Sequence, residues 1–472
     1  MGSGKVTDWQ GKHVTVAGLG VSGIPAAKAL HARGASVTVV NDGDDARARE
    51  QAAELEALGV TVRLGDGATL PEGTELVVTA PGWKPDKPLF AAARAAGLEI
   101  WGDVELAWRL RGPDAAPWLA ITGTNGKTTT TQMLASILKA AGLRTAAVGN
   151  IGVSLLDAVL GEEQYDVLAV ELSSYQLHWA PSLRAHSAAV LNLAPDHLDW
   201  HGSMEAYAAD KGRVYEGNRV ACVYNVADKA TEDLVREADV EEGCRAVGFT
   251  LGAPAPSQLG VVDGILVDRA FVENRHKNAQ ELAEISDVNP PAPHNIANAL
   301  AAAALARAFG VPPKAVRDGL RAFTPDAHRI AHVADVDGVA YVDDSKATNT
   351  HAAEASLAAY ESIVWIAGGL AKGASFDELV AKSAKRLRAV VLIGADRALI
   401  REALARHAPE VPVVDLDRTD TGAMLQAVTE AKRLAQPGDT VLLAPACASM
   451  DMFTNYNKRG DAFAEAVREL GS

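Results

Sequence analysis

The sequence predicts an α/β protein of three domains, each a largely parallel sheet flanked by helices, and three observations carry that expectation. The chain has 472 residues, and at about 100–200 residues per domain it is too long for one core. From His13 onward, short apolar runs of strand character alternate with longer Ala-rich stretches of helical period, the pattern of strands joined by crossover helices. Many of the 41 glycines follow directly on the apolar runs, where strand-to-helix turns use them.

Residues 13–17, 36–40, 61–64, 76–79 and 99–101 read as the strands of a first domain. The run Arg111-Gly112-Pro113-Asp114-Ala115-Ala116-Pro117 then breaks both periodicities, because Pro has no N–H to donate and Gly no side chain to pack. The first domain is therefore expected over 1–112. The second, 113–323, opens with a strand at 118–122 and a helix at 130–141, followed by strands at 167–170, 188–191 and 219–223. Asp263-Gly264 between two apolar runs predicts a tight hairpin, and the Ala-rich run 298–309 predicts a buried helix too short to cross a bilayer. The third domain, 324–472, begins after Phe323-Thr324-Pro325 with a hairpin at Asp337-Gly338 and returns to strands at 362–367, 389–393 and 440–444.

Charge narrows the partners. With 45 Lys plus Arg against 60 Asp plus Glu, the net charge of −15 repels phosphate polymers and anionic lipid. No nucleic acid and no membrane partner are expected. Cys222, Cys244 and Cys447 form no Cys-x-x-Cys pair, which fits a reducing, cytoplasmic setting. Residues 1–12 lack a long apolar segment and no apolar run reaches about 18 residues, so neither export nor membrane insertion is expected.

The first chemical motif is Gly18-Leu19-Gly20-Val21-Ser22-Gly23, after a strand and before a helix at 24–32. Its backbone can approach a pyrophosphate while the helix N-terminus offers unpaired N–H groups. Asp42 follows the second strand about where a dinucleotide-binding fingerprint places its acid. Alone, this suggests NAD; an empty tight turn is the plain alternative. The second motif is Thr122-Gly123-Thr124-Asn125-Gly126-Lys127-Thr128-Thr129. Such a loop surrounds phosphate oxygens with N–H groups, sets the Lys127 ammonium on the terminal phosphates and offers Mg²⁺ the Thr128 hydroxyl. Ile121 occupies the first glycine position of the strict P-loop pattern, yet Gly-Lys-Thr in this setting predicts ATP binding. Glu171, at the end of an apolar strand, can bring a carboxylate to the sheet mouth for Mg²⁺; without the phosphate loop it would read as a surface residue. Asp196-His197-Leu198-Asp199-Trp200-His201 can supply one metal-contacting His, its spacing being unlike a zinc helix.

Three loops of the third domain also follow strands: Asp343-Asp344-Ser345-Lys346-Ala347-Thr348-Asn349, Gly368-Gly369-Leu370-Ala371-Lys372 and Ala446-Cys447-Ala448-Ser449. Ligands collect at the carboxyl ends of strands in open α/β sheets, and these loops suit a small anion. Cys447 reads as a small packed residue rather than a nucleophile.

Together these motifs resemble the Mur ligase family over essentially the whole chain. The shared signature is Thr-Gly-Thr-Asn-Gly-Lys-Thr at 122–128, Glu171-Leu172-Ser173-Ser174, Asp196-His197 and His294-Asn295-Ile296-Ala297-Asn298-Ala299. The glycine motif at 18–23, Asp344-Ser345-Lys346-Ala347-Thr348-Asn349, and Pro445-Ala446-Cys447-Ala448-Ser449-Met450-Asp451 with Arg459-Gly460 resemble the glutamate-adding branch. The resemblance implies an N-terminal Rossmann-like UDP-binding domain, a central P-loop ATPase-type α/β domain and a C-terminal Rossmann-like α/β domain that brings in the amino acid. It implies ATP contacts from Gly123, Thr124, Asn125, Gly126, Lys127, Thr128, Thr129, Asn295, Asn298, Arg329 and Asp344. Val21, Ser22, Asn150 and Ser173 would meet the UDP substrate, with either Asn41 or Asp42 on the uracil. Lys346, Thr348, Lys372, Ser449, Met450 and Tyr456 would surround the incoming glutamate. Two Mg²⁺ ions are implied, one on Thr128 and Glu171 and one on His197, with Lys211 carbamylated beside it; Lys127, His197 and Lys211 are the expected catalytic residues. Read from composition alone, Lys211 is an exposed helix lysine. Residues 241–293 carry no catalytic signature.

The implied reaction moves the γ-phosphoryl group of ATP to the alanyl carboxylate of UDP-N-acetylmuramoyl-L-alanine. The D-glutamate amine then attacks the acyl phosphate and phosphate leaves. A monomer acting on small molecules is expected, with domain closure excluding water from the acyl phosphate. Three rival readings remain: an NAD-dependent oxidoreductase, a non-catalytic nucleotide-binding regulator, and a related ligase that adds another amino acid. The oxidoreductase leaves Lys127 and the third domain without a role, and a regulator would bind ATP without amino-acid-dependent ADP release.

Overall fold

The computed structural model describes residues 8–325, 327–418 and 420–470. Among them the strands form three sheets. The first contains β1 (His13–Ala17), β2 (Ser36–Asn41), β3 (Thr61–Leu64), β4 (Leu76–Thr79) and β5 (Glu99–Gly102). Its order is β3-β2-β1-β4-β5, all parallel. Strand order reverses between β1 and β4, so a crevice opens at the carboxyl end of β1, where the first glycine turn leaves the sheet.

The second sheet takes β6 (Trp118–Thr122), β7 (Ala147–Gly149), β8 (Leu168–Glu171), β9 (Ser187–Val190), β10 (Ala221–Asn225), β11 (Arg245–Phe249), β12 (Gln258–Val262), β13 (Ile265–Asp268) and β14 (Gln280–Glu284). Its order is β14-β13-β12-β11-β10-β9-β6-β8-β7. β6, β8 and β9 are buried along their whole length, as strands covered on both faces by helices must be. The expected hairpin joins β12 to β13: Asp263 and Gly264 both take positive φ, 49° and 78°, between the paired Val262 and Ile265. The segment without a catalytic signature thus supplies β11 to β14, which extend this sheet first in parallel and then, from β12 to β14, antiparallel.

The third sheet takes β15 (Ala331–Val336), β16 (Val339–Asp343), β17 (Ile363–Gly368), β18 (Leu387–Ile393), β19 (Val413–Asp415) and β20 (Thr440–Leu443), in the order β15-β16-β20-β17-β18-β19. The second hairpin turns at Asp337 and Gly338, φ 53° and 76°. The strands read from the sequence are present, displaced at their ends by up to two residues, while β7, β11, β14 and β19 were not among them. The helix expected at 130–141 spans Lys127–Ala140, so Lys127 lies on its first turn.

The chain divides into two compact units, Met1–Val288 with Ile296–Phe323, and Asn289–Asn295 with Thr324–Ser472. In the first, Ala299 through Ala306 are fully buried, as expected of the Ala-rich helix, which spans Pro293–Ala308. Gly319 on the helix Pro313–Ala322 lies against Ile137, where an added Cβ would come within 2.4 Å of its Cα. That close contact holds the second motif's helix in place.

Candidate active site

At the end of β6 the chain enters the phosphate-loop motif. Gly123 takes φ 151°, where an added Cβ would come within 3.0 Å of Leu191 Cβ, and Gly126 takes φ 83°, where an added Cβ would come within 2.4 Å of Asn298 Oδ1. Only glycine relieves both constraints at Gly126. Asn192 clamps the loop from both sides, its Oδ1 accepting from Asn125 N at 2.8 Å and its Nδ2 donating to Asn125 O at 3.1 Å. The Thr124 hydroxyl meets Tyr207 OH at 3.0 Å and accepts from Ala194 N at 3.0 Å. Thr128 and Thr129 are buried on the first helical turn.

Two lysines converge beneath this loop. Lys127 Nζ donates to Gly123 O at 2.9 Å and Thr124 O at 2.8 Å; Lys211 Nζ donates to the same Gly123 O at 2.8 Å and to Thr122 Oγ1 at 3.4 Å. Reading Lys211 as an exposed helix lysine is therefore wrong. It is 1% exposed, at the end of the helix Met204–Gly212, with its ammonium 4.7 Å from the Tyr207 ring centroid. Its aliphatic stem fills core space, and composition could not show which face of that helix is inward. Burial, and then the neighbouring Lys127 charge, lower its pKa well below the ordinary lysine value, against the opposing pull of Asp196, Glu171 and Asp210.

Glu171 is buried at the end of β8, not on the surface. Its Oε1 accepts from Asn150 Nδ2 at 2.9 Å, while Oε2 is buried with no hydrogen-bond donor. A carboxylate oxygen in that condition suits a cation. In the cluster at 196–201 the two histidines diverge. His201 is fully occupied, Nδ1 to Asp210 Oδ2 at 2.9 Å and Nε2 to Ser174 Oγ at 2.9 Å. His197, one-third exposed, takes φ 54° with Nε2 3.5 Å from Asp196 Oδ2 and its ring 4.9 Å from Tyr175. Among the described residues no group of three or more His, Cys, Asp or Glu is arranged to hold a metal by itself.

The first glycine turn lies in the same compact unit. Gly18 takes φ 106° against Trp83, and an added Cβ on Gly23 would sit 1.9 Å from Gly18 O; the space above Gly20 is open. Asn41 Oδ1 accepts from Leu19 N at 3.0 Å and so organises the loop, whereas Asp42, half-exposed, is paired with Lys87 at 2.6 Å. Val21 is exposed. Ser22 does not cap its helix but donates to Asp103 Oδ2 at 3.0 Å. Gln176 Nε2 reaches the same oxygen at 3.5 Å, and Gln176 forms a capping box with Ser173. Asp103 thus ties Ser22 to the helix that Ser173 caps, and burial pushes its carboxyl above the ordinary value. Sequence reading missed Asp103; its place at a helix start directly after β5 was the available signal.

In the other unit, the three predicted loops meet. Ala446 N donates to Ala347 O at 2.9 Å, and Leu370 and Ala448 exchange backbone hydrogen bonds at 2.9 Å each. Arg459, 1% exposed, joins the loops at 343–349 and 446–449 through Ser345 Oγ at 3.0 Å, Ser345 O at 2.9 Å and Cys447 O at 3.1 Å. Lys346 Nζ lies 3.9 Å from the Tyr456 ring centroid. Thr348 and Ser449 lie in these loops, Ser449 buried; Lys372 and Met450 are exposed. Asp344 is buried, accepting from Ser356 Oγ and Ile330 N, and desolvation raises it to about 6 despite the nearby Arg329 charge. His328, unmarked in the sequence reading, meets Asp343 at 2.6 Å, and that hydrogen bond raises its pKa. Asn295 donates from Nδ2 to Pro290 O at 3.3 Å. Cys447 is packed as expected, its thiol pushed up to about 12 by burial.

The chain is similar to known proteins along its length. The Mur ligase MurD-like N-terminal domain matches residues 12–102, the Mur ligase middle domain 121–306, and the Mur ligase glutamate ligase domain 328–447. The UDP-N-acetylmuramoylalanine–D-glutamate ligase of Streptomyces avermitilis is 88% identical over 99% of this chain and 100% of its own. That of Streptomyces coelicolor is 87% identical over 99% and 100%, and that of Thermobifida fusca 61% over 98% and 99%. Among solved structures, a pseudomurein peptide ligase type C from Methanothermus fervidus matches with TM-score 0.59 at 17% identity, covering 97% of this chain and 99% of its own. UDP-N-acetylmuramate-alanine ligase from Thermotoga maritima matches with TM-score 0.55 at 20% identity over 97% and 99%. The three family domains in order, and near-full-length relatives at such identity, lead to one conclusion: this chain belongs to the Mur ligase family.

Proposed function

We propose that this chain is an ATP-dependent ligase that joins D-glutamate to UDP-N-acetylmuramoyl-L-alanine in peptidoglycan precursor synthesis, releasing ADP and phosphate. The observation that carries this reading is the 88% identity across 99% of the chain with a UDP-N-acetylmuramoylalanine–D-glutamate ligase. The oxidoreductase reading of the first glycine motif has no support among the relatives and is set aside.

In this reading the open backbone above Gly20, with Val21, Ser22, Asp42, Asn150 and Ser173, receives the UDP substrate. Asn41 is already committed to the loop backbone, which favours Asp42 for the uracil. The loop from Gly123 to Thr129, with Asn295, Asn298, Arg329 and Asp344, receives ATP. Lys127 exchanges its loop carbonyls for phosphate oxygens and stabilises charge on the phosphoryl group in transit, the main demand of such a loose transition state. Lys346, Thr348, Lys372, Ser449, Met450 and Tyr456 receive glutamate.

The unpartnered Glu171 oxygen fits Mg²⁺, with the Thr128 hydroxyl as the other proposed ligand, and the ion when bound would neutralise phosphate charge. His197 is the candidate for a second ion. The depressed basicity of Lys211 favours the neutral amine that carbamylation by CO₂ requires. Domains at 1–112, 113–323 and 324–472, a monomeric state and a cytoplasmic location complete the proposal; no described helix is long and apolar enough to cross a membrane.

ADP release with UDP-N-acetylmuramoyl-L-alanine and a panel of amino acids tests the function, and only D-glutamate is expected to elicit it. Release with L-glutamate or another amino acid would redirect the assignment to a related ligase, and ATP binding without release would point to a regulator.

A further inference from the structure

Two and three strands over from the phosphate loop's strand in the second sheet, two thiols face each other. Cys222 is buried within β10, where it pairs with Ala246 of the neighbouring parallel strand β11, and Cys244 lies two positions before that partner, immediately ahead of β11. Their sulfurs are 3.9 Å apart. Cys222 is 2% exposed, whereas Cys244 is partly exposed behind the solvent-facing turn of Glu241, Glu242 and Gly243. All three cysteines of the chain are free thiols.

We propose that Cys222 and Cys244 form a redox modification site, in which a hydroperoxide oxidises Cys244 and Cys222 closes an intramolecular disulfide within the central sheet. Nothing in the ligase reaction uses either residue. The geometry divides the labour. Cys244 is the accessible sulfur, and its hydrogen bond from Cys222, aided by the Arg245 N–H and charge, lowers its pKa; its partial burial opposes this. The Cys222 thiol is held protonated by that hydrogen bond and by burial, and is the resolving group.

In the first step the Cys244 thiolate attacks one peroxide oxygen, the O–O bond breaks, and hydroxide or alkoxide leaves, giving the sulfenic acid. In the second the Cys222 sulfur, losing its proton, attacks the Cys244 sulfur and the S–O bond breaks to release water. Two thiols lose two electrons and the hydroperoxide gains them. Closing the gap requires the sulfurs to approach by about 2 Å, within the range of side-chain rotation and small shifts of the loop at 241–243. Cys447, buried in the other compact unit, serves as an internal control.

The test treats the full-length protein with hydrogen peroxide, quenches it, unfolds it, alkylates remaining thiols and reads the intact mass. One alkylated thiol instead of three is expected, with a loss of about 2 Da for the two hydrogens removed, a cross-linked peptide containing Cys222 and Cys244, and full reversal by a thiol reductant. In Cys222→Ser the same treatment is expected to leave a sulfenic acid on Cys244 that a 1,3-diketone captures. Three alkylated thiols in the oxidised wild type, sulfinic acid on Cys244 in place of the cross-link, or a disulfide between two chains would each overturn the proposal. The wild-type mass decides the matter even if Cys222→Ser fails to fold.

Discussion

The loops that leave β1 and β6 are assembled from the same parts, glycines between a parallel strand and a helix, yet they are equipped differently. At the first, Gly18 and Gly23 are closed off by Trp83 and by the loop's own carbonyl, Gly20 is open, and the nearby buried side chain is the carboxyl group of Asp103. At the second, two lysine side chains meet on one carbonyl oxygen, Gly123 O, and a buried glutamate faces the same region with one oxygen unpartnered. A diphosphate that is only held can be satisfied by backbone N–H groups and a helix N-terminus. A phosphoryl group in transit develops charge that requires fixed cations nearby.

The largest effect should come from Lys127→Ala. Loss of a transition-state charge partner is expected to lower kcat by about 10²–10³-fold, or more, with the fold retained by circular dichroism. Near-normal turnover would put the two loops on an equal footing and end the contrast. Lys211→Ala is expected to be similarly inactive but partly rescued by acetate, whose oxygens can replace those of a carbamate.

Lys211 also has a stability signature that an exposed lysine lacks. Removing it empties the core space that its stem fills beside the Tyr207 ring, and a loss of about 2 kcal/mol or more in urea unfolding is expected for Lys211→Ala. Its folded pKa lies below the unfolded value of about 10.4, so between the two the unfolded chain binds the extra proton. Wild-type stability therefore rises with pH through that window. Lys211→Met should abolish that rise, and an unchanged slope would place the lysine in solvent.

Within the first loop, two alanine substitutions separate fold from ligand. Gly23→Ala forces a Cβ onto Gly18 O, an overpacking expected to cost about 3 kcal/mol. Gly20→Ala meets no protein atom and should leave the urea midpoint unchanged while raising KM for the UDP substrate about tenfold, leaving KM for ATP alone. An unchanged KM would show that the ligand does not approach there.

The smallest effect concerns Asp103. Because its carboxyl titrates above the unfolded value of about 3.9, the folded chain binds more protons than the unfolded one in the window between them. Wild-type stability should fall as pH rises through that window, and Asp103→Asn should remove the fall, read from urea midpoints at acidic and neutral pH.

Local chemistry made much of this molecule legible. Periodicity marked most strands, Asp-Gly pairs marked both hairpins, and the Gly-Lys-Thr run marked the helix start that carries Lys127, because each is written in adjacent residues. What adjacency could not encode was which side chains face inward. Lys211 and Glu171 both allow a surface reading, and their burial becomes visible only when the helix Met204–Gly212 sends Lys211 to the end of β6 and strand β8 pairs with β6. His197 and His201 are alike in sequence, but packing commits only His201 to Asp210 and Ser174. The loops at 343–349, 368–372 and 446–449 were visible as separate strand ends. Two of them are joined by Arg459, whose buried guanidinium donates to Ser345 Oγ, Ser345 O and Cys447 O, and the third is joined by the backbone hydrogen bonds between Leu370 and Ala448. Pairings across more than a hundred residues are selected by tertiary packing and by the cost of leaving polar groups unsatisfied, neither of which a local pattern records.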